Sequence, residues 1–553
     1  LFKISIFIKI TGADTGVVLK QYFKNSYSIL LLIWSISVSF WGCATVPLPK
    51  TVNTDYDVIV VGAGMGGLSG AAHVAVGGKR VLLLEQHYKV GGCASSFVRG
   101  DFAFDTALHE MSLGGGDGFL RNIIDKAGVL DKVKMIRIPS LGKSIFPGME
   151  IEQKEGVENF IEELVLHWPG EEENIRKYFA TIKDMSIEAS ELRDVFFGSP
   201  LKSMFLKMAI PFKQHTLAKY NNNTLQEVLD DFFTDDKLKA AVAQFWLYHG
   251  PPPSNQWALI YMMGQYSYVQ NGGWQFVGSS SSLSDAYAER IRELGGEIKT
   301  GTLVNSINIS DGHVTGVTTD DGTTYTSRYV ISNADPFQTF YKLVGKDKTP
   351  KKIVKQLEKM VPSTSLAGVY LGLDVPASYW GINDYEIFYN TSWDHELMYK
   401  KMIEGKWDEG ALSMTFYSNL PDSYYAPEGM GAIVLHSYSA YDYWSDDEKE
   451  YEKQKEHMID TLINMANDIM PGIRDHIVYQ EGMTPKTINH YTLNYKGAPY
   501  GMDFTIEQKD RMEIKTPIAG LYLAGSWVFP SHSVGMAQVS GYMAAKSILK
   551  NDK

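Results

Sequence analysis

Three glycines spaced as Gly62-x-Gly64-x-x-Gly67, with a carboxylate following at Glu85, are residues that could hold a pyrophosphate and a ribose. Gly62 allows a tight turn, Gly64 lets the backbone approach phosphate oxygens, and Gly67 lets a helix pack close to a strand. Ala63, Met65 and Gly66 complete the turn, and a helix starting there offers free N–H groups and a positive dipole end to the phosphates. Glu85 stands at about the chain separation from which a carboxylate accepts both ribose hydroxyls. The chemistry indicated is the binding of an adenine dinucleotide.

These residues need elements to position them. Val58–Val61 is a continuous β-branched run, as expected of a parallel strand buried on both faces, and Val81–Leu84 is a second strand ending on the acid. A glycine-rich turn alone is weak; strand, glycines, helix, strand and acid in order are strong. Further along, residues 157–195 read as helical around an interruption at Trp168-Pro169-Gly170, and a glycine cluster stands at Gly114–Gly116. Thr224 and Glu227 form a capping box. Helical periodicity continues over Leu238–Leu247 until Pro251–Pro253 breaks it. Ala286–Leu294 predicts a helix, 297–331 a β-meander, Ala367–Leu373 and Ala432–Ser437 strands, 447–466 a helix and 536–549 a last helix. The reading is an α/β chain whose dinucleotide domain comes in three pieces (51–150, 271–345 and 481–553). A mostly helical substrate segment (151–270) and a sheet-plus-helix segment (346–480) are inserted between them.

The chain has 553 residues, 44% apolar and 21% charged, which suits two or three globular domains. A formal charge of −12 argues against a nucleic-acid partner. Two cysteines, Cys43 and Cys93, supply neither a disulfide framework nor a thiolate metal cluster, and Cys93 reads as a small packed residue rather than a redox group. Residues 1–50 differ in kind. Lys20 and Lys24 precede an apolar run, Ile29–Gly42, followed by Cys43, which reads as an export signal with a lipidated cysteine. An uncleaved anchor over Tyr27–Ala44 is the alternative, and either places the protein outside the membrane it is tied to, as a periplasmic lipoprotein if Cys43 is lipidated. Residues 199–213 mix lysines with large apolar side chains and are either a segment dipping into a membrane surface or a half-buried helix.

Taken together, the motifs resemble the FAD-dependent oxidoreductases of the phytoene desaturase and carotenoid isomerase superfamily, and within it the retinol saturase (all-trans-retinol 13,14-reductase) branch. The resemblance covers about 55 to 549. It rests on Val61–Gly67, Glu85-Gln86-His87 with Gly91-Gly92-Cys93, Phe104-Asp105-Thr106 with His109, and Gly272-Gly273. Ser332-Asn333-Ala334, Gly497 to Gly501 and Leu521 to Gly525 extend it. It implies a glutathione-reductase-like Rossmann domain carrying FAD, with an inserted α+β substrate domain. Gly62, Gly64 and Gly67 would meet the pyrophosphate, and Glu85, with Gln86 beside it, the ribose. Gly92 would line the path of the dinucleotide, Val304 would bond the adenine, and Gly525 with Ser526 would meet phosphate and ribityl. Met536 and Ala537 would aim N–H groups at the flavin. Three positions depart from the superfamily: Ser526 stands for an acid, Pro530-Ser531 for Pro-Gly, and Phe276 to Ser279 for Pro-x-Gly-Gly.

A flavin carries hydride or electron transfer, and saturating a C=C bond needs a proton besides. Candidate proton donors are His109, Tyr248, His249 and His532. An aromatic and methionine-rich stretch that includes Phe245, Trp246, Tyr261, Met262 and Trp274 is either the lining of an apolar tunnel or plain core. The expected substrate is a long apolar lipid or polyene, reduced, desaturated or isomerised. No second GxGxxG is visible for a nicotinamide, which leaves the electron partner open. An amine oxidase and a non-catalytic FAD-bound lipid carrier are the competing readings. No GxSxG, HExxH or CxxC occurs, which disfavours hydrolases and metalloenzymes.

Overall fold

The computed structural model describes residues 54–112, 118–197, 214–422 and 424–552. Cys43 with its apolar run, the cluster Gly114–Gly116 and the segment 199–213 lie outside the described residues. In chain order, the elements that build the site begin with β1 (Tyr56–Val61), α1 (Met65–Val76), β2 (Val81–Leu84), β3 (Lys143–Phe146) and β4 (Met149–Glu152). Next come α2 (Ala258–Asn271), α3 (Ser281–Glu293), β5 (Glu297–Lys299), β6 (Val304–Ser310), β7 (His313–Thr319) and β8 (Thr324–Ser332). They continue with β9 (Ser365–Leu373), β10 (Glu386–Asn390), β11 (Ala411–Phe416) and β12 (Gly431–Ser439). The last are α4 (Glu448–Ile469), β13 (Ile477–Met483), β14 (Leu521–Leu523) and α5 (Val534–Asn551).

The first sheet runs β6-β7-β8-β1-β2-β5, with β14 on the other side of β8. β1 pairs in parallel with β8 and with β2, so Val58 lies opposite both Tyr329 and Val81. Val58, Ile59 and Val60 are fully buried, the environment a β-branched run between two strands requires. The expected meander is only partly one. β6, β7 and the start of β8 are antiparallel, but the apolar end of β8, Tyr329–Ser332, turns into the core and runs parallel to β1. On α1 every residue from Met65 to Ala75 is buried, and the small side chains admit α5 against its backbone.

The second sheet runs β13-β9-β12-β11-β10-β3-β4 and is antiparallel except between β10 and β3. Two expected domain boundaries therefore fall inside this sheet. Position 150 lies within the β3–β4 hairpin, where buried Ser144, Phe146 and Ile151 alternate with more exposed neighbours, and 480 lies within β13. The helical stretch Leu238–Leu247 breaks at Ala243: an α-helix ends at Val242 and a 3-10 turn carries Gln244–Tyr248. Thr224 and Glu227 do cap a helix, Leu225–Phe232, reciprocally. Ala180–Phe197 and Gln214–Asn222 belong to a compact unit of their own, within which Glu188 accepts the N–H groups of Thr216 and Leu217. Among the described residues no helix is long and apolar enough to cross a membrane.

Candidate functional site

The glycine turn has the backbone its spacing demands. Gly62 sits at φ +90° and donates to the Leu84 carbonyl at 2.8 Å, locking the turn to β2. Gly64 caps α1 without a side-chain bond, so the first-turn N–H groups find no acceptor within the helix. A Cβ on Gly67 would meet Gly62 O at 2.0 Å, which makes the third glycine a packing requirement. Asn333, at the end of β8, closes the turn from behind: its Oδ1 accepts the Gly67 N–H at 3.0 Å. Gly92, at φ +56°, faces Gly64 across the turn, where a Cβ would meet only Gly64 Cα.

Glu85 is buried and pinned by main chain. Its Oε2 accepts the Ala63 N–H at 2.6 Å and its Oε1 the His87 N–H at 2.8 Å, leaving lone pairs for two hydroxyls. Burial raises its pKa, against the pull of those two backbone bonds. The Gln86 amide turns to the Tyr491 carbonyl at 2.9 Å instead of joining Glu85. Val304, buried, opens β6. Glu85→Ala is expected to weaken flavin retention by tenfold or more, about 1.5–3 kcal/mol for a charge-assisted bond, read by dialysis and absorbance. Retention equal to that of the parent overturns the ribose assignment.

At the far end Gly525, at φ +110°, donates to Ser540 Oγ at 2.8 Å. Ser526 lies against the turn at Gly501, where a Cβ on that glycine would come within 2.8 Å of the serine Oγ. The N–H groups of Met536 and Ala537 differ from expectation. Both bond Ser533, Met536 through Oγ at 3.1 Å and Ala537 through the carbonyl at 2.9 Å, because α5 starts two residues earlier, at Val534. The first-turn amides of α5 without an intrahelical acceptor are those of Val534 and Gly535.

The four candidate proton donors divide into three settings. His109 Nδ1 bonds the Tyr417 hydroxyl at 2.7 Å, and its ring packs on His436 at 4.6 Å; burial pulls its pKa down to about 4. His249 and His532 lie 5.9 Å apart beside Phe504 and are likewise held neutral by burial. Tyr248, the chain neighbour of His249, turns its hydroxyl the other way and donates to Glu386 Oε2 at 2.5 Å. His109, Tyr248, Tyr268, Tyr500 and Cys93 lie within the protein body, yet each keeps part of its surface accessible. Burial pushes the Cys93 thiol up to about 11, leaving a neutral thiol there. Of the aromatic stretch, Trp246, Tyr261 and Met262 are core, whereas Tyr248 and Tyr268 keep part of their surface accessible.

Several residues of the site escaped the sequence reading. The run that replaces Pro-x-Gly-Gly is a clamp. Ser279 and Ser281 bond Ser96, Ser280 bonds the Ser95 carbonyl, and Ser284 bonds the Ala94 carbonyl, so this run fixes the loop carrying Cys93. Glu110 and Glu386 are buried acids on adjoining dipeptides, joined where Tyr385 donates to the His109 carbonyl. Burial first, then the neighbouring Glu386 charge, hold the Glu110 carboxyl well above its usual range. A raised folded pKa favours folding below the unfolded value, and that contribution is lost as pH climbs through the folded one. Glu110→Gln is therefore expected to melt higher than the parent by a margin that widens from mild acid to alkaline pH, measured by thermal melts. A constant margin rules this out.

The sequence model described as flavin containing amine oxidoreductase matches residues 65–549. The chain belongs to this family, and FAD is its cofactor. The pinned Glu85, the first-turn amides of α1 and the open approach between Gly64 and Gly92 fit an adenine dinucleotide. All-trans-retinol 13,14-reductase of Danio rerio is 26% identical over 511 residues, covering 86% of this chain and 83% of the relative. Prolycopene isomerase of Daucus carota is 27% identical over 511 residues, covering 89% and 80%. The fold is shared with an oxidoreductase from Methanosarcina mazei, at TM-score 0.60 and 17% identity over 89% of this chain and 100% of that one. Putrescine oxidase bound to putrescine has TM-score 0.58 and 14% identity, covering 90% and 99%.

Proposed function

We propose that this flavoprotein reduces a C=C bond of a long apolar polyene or isoprenoid lipid, as a retinol-saturase-like reductase. The observation that carries the reading is the set of partly accessible rings Tyr248, Tyr268 and Tyr500 within the protein body, which we take to line the substrate space, in a chain whose relatives are named for retinol and prolycopene. FAD, when bound, supplies hydride or electron transfer at N5. The chain's own part is to exclude water with these rings, to orient a flat conjugated chain against them, and to hold a proton at the Tyr248 hydroxyl. Isomerisation is the second reading, supported by prolycopene isomerase relatives at 27% identity.

Anaerobic incubation of dithionite-reduced protein with all-trans-retinol, a carotene and an unsaturated fatty acid tests both. A product heavier by two hydrogens is expected; unchanged mass with altered geometry selects isomerisation, and no product from any of the three overturns the polyene reading. The proposal includes a membrane tie through residues 1–50. A chain lacking them is expected to move from the membrane to the soluble fraction, and a chain that stays bound shows that the tie lies elsewhere.

A further inference from the structure

We propose that Glu110 and Glu386 form a proton store behind Tyr248, and that Tyr248 passes the stored proton to the substrate space. The inference rests on the polyene reading above and names the proton path of that same site.

Both acids are deep in the protein, Glu386 with no accessible surface and Glu110 with 7%. Glu386 accepts two hydrogen bonds, from the hydroxyls of Tyr248 and Ser413, each at 2.5 Å. Neither oxygen of Glu110 makes a hydrogen bond of full geometry, and the hydroxyl that acts on it is that of Tyr248. Its tip lies against the backbone at Gly273, where a Cβ would come within 2.1 Å of Oε2. The groups facing the two acids are hydroxyls: Tyr248 on the 3-10 turn, Tyr268 on α2, Tyr385 before β10, Ser413 on β11 and Tyr500 from the C-terminal segment. Arg137, on the strand beside Gly273, is paired with Glu155. Two carboxyls brought together with hydroxyls alone around them cannot both ionise at modest cost; one keeps a proton. Glu386 has donors that suit a carboxylate, so the proton belongs on Glu110.

Tyr248 connects this pair to the space it lines. Its ring packs with Tyr268 at 5.6 Å and Phe388 at 5.4 Å, which fixes the hydroxyl while part of the side chain stays accessible. In the reductive step one C=C bond becomes a single bond. Reduced flavin would supply the two electrons and one hydrogen, and the Tyr248 hydroxyl, turned from Glu386 to the substrate, would give its proton to the other carbon. The Tyr248 oxygen takes the proton of Glu110, whose carboxylate regains one from water. Tyr248 is the catalytic residue in this scheme; Glu110 and Glu386 are positioning residues.

The test uses the holoprotein and its Glu110→Gln and Glu386→Gln variants. Infrared spectra across the neutral to alkaline range read the C=O stretch of a protonated carboxyl without turnover. A band that disappears in Glu110→Gln and shifts in Glu386→Gln is expected. Reoxidation of dithionite-reduced flavin by all-trans-retinol should slow about 100-fold in Glu110→Gln, the size of a lost acid catalyst, and lose the alkaline fall-off of the parent. A full-strength band in Glu110→Gln, or an unchanged pH profile, overturns the proposal. Should Glu110→Gln fail to fold, Glu386→Gln decides through the same band. If the parent does not reoxidise with retinol, the polyene reading fails, while the infrared result still judges the store.

Discussion

Replacing Gly541 by alanine is expected to strip the protein of its flavin and to cost about 3 kcal/mol or more, the upper range for an overpacked interior. In a free helix the same exchange would stabilise by ~1 kcal/mol, because glycine is the poorer helix former. Here the sign reverses. Gly541 lies inside α5 where that helix crosses α1, and a Cβ would come 2.1 Å from Gly66 O and 2.7 Å from Gly70 N. Those are main-chain atoms, which cannot swing aside as a side chain can. One helix must lift, and Gly66 belongs to the glycine turn that opens α1. Gly535→Ala, in the same helix, would meet the flexible Leu120 side chain at 2.6 Å and should be mild. Absorbance of the purified variants and urea unfolding read both effects. Flavin retention in Gly541→Ala at unchanged stability would show that the two helices have slack.

That crossing also marks how far the sequence could be read. The dinucleotide unit was legible because its determinants are local: glycine spacing, a β-branched run, and an acid at the end of the next strand all lie within Tyr56–Glu85. The start of α5 was misplaced by two residues because Ser533 takes φ +85°, a conformation serine rarely adopts, and bonds the very amides assigned to the flavin. Gly541 showed nothing beyond an ordinary helical glycine until Gly66 and Gly70 lay across from it.

The acids behind Tyr248 were invisible for a different reason. Tyr385 and His109 stand 276 positions apart, and only the pairing of β10 with β3 and β11 brings Glu386 beside Glu110. His436 reaches His109 through the β9–β12 register, opposite Gly368, where a Cβ would press on the imidazole at 2.7 Å. Sheet register over such separations leaves no periodic trace in a single sequence. The one local signal is an acid in a largely apolar stretch: Glu110 stands between His109 and Met111.

Asp105→Ala is expected to lower stability by about 3–5 kcal/mol, because it strands several buried donors at once. Asp105 has no accessible surface. Its Oδ1 accepts Ser280 N–H at 2.9 Å and Ser280 Oγ at 2.6 Å; its Oδ2 accepts the Tyr425 hydroxyl at 2.6 Å and Gln275 Nε2 at 3.2 Å. Burial raises its pKa to about 6, against these bonds, so the group favours folding below its unfolded value and loses that contribution as pH rises through 6. Asparagine keeps an oxygen for the Ser280 N–H, and the Tyr425 hydroxyl can turn to accept from the new amide. Asp105→Asn should therefore fall between parent and alanine, and should lose the pH dependence near neutrality. The effect reaches the loop carrying Cys93, because Ser280 also holds the Ser95 carbonyl and its neighbour Ser281 holds Ser96. Urea unfolding followed in parallel by flavin fluorescence reads both. Equal losses for alanine and asparagine would show that Asp105 acts through charge alone rather than by satisfying the donors of the serine clamp.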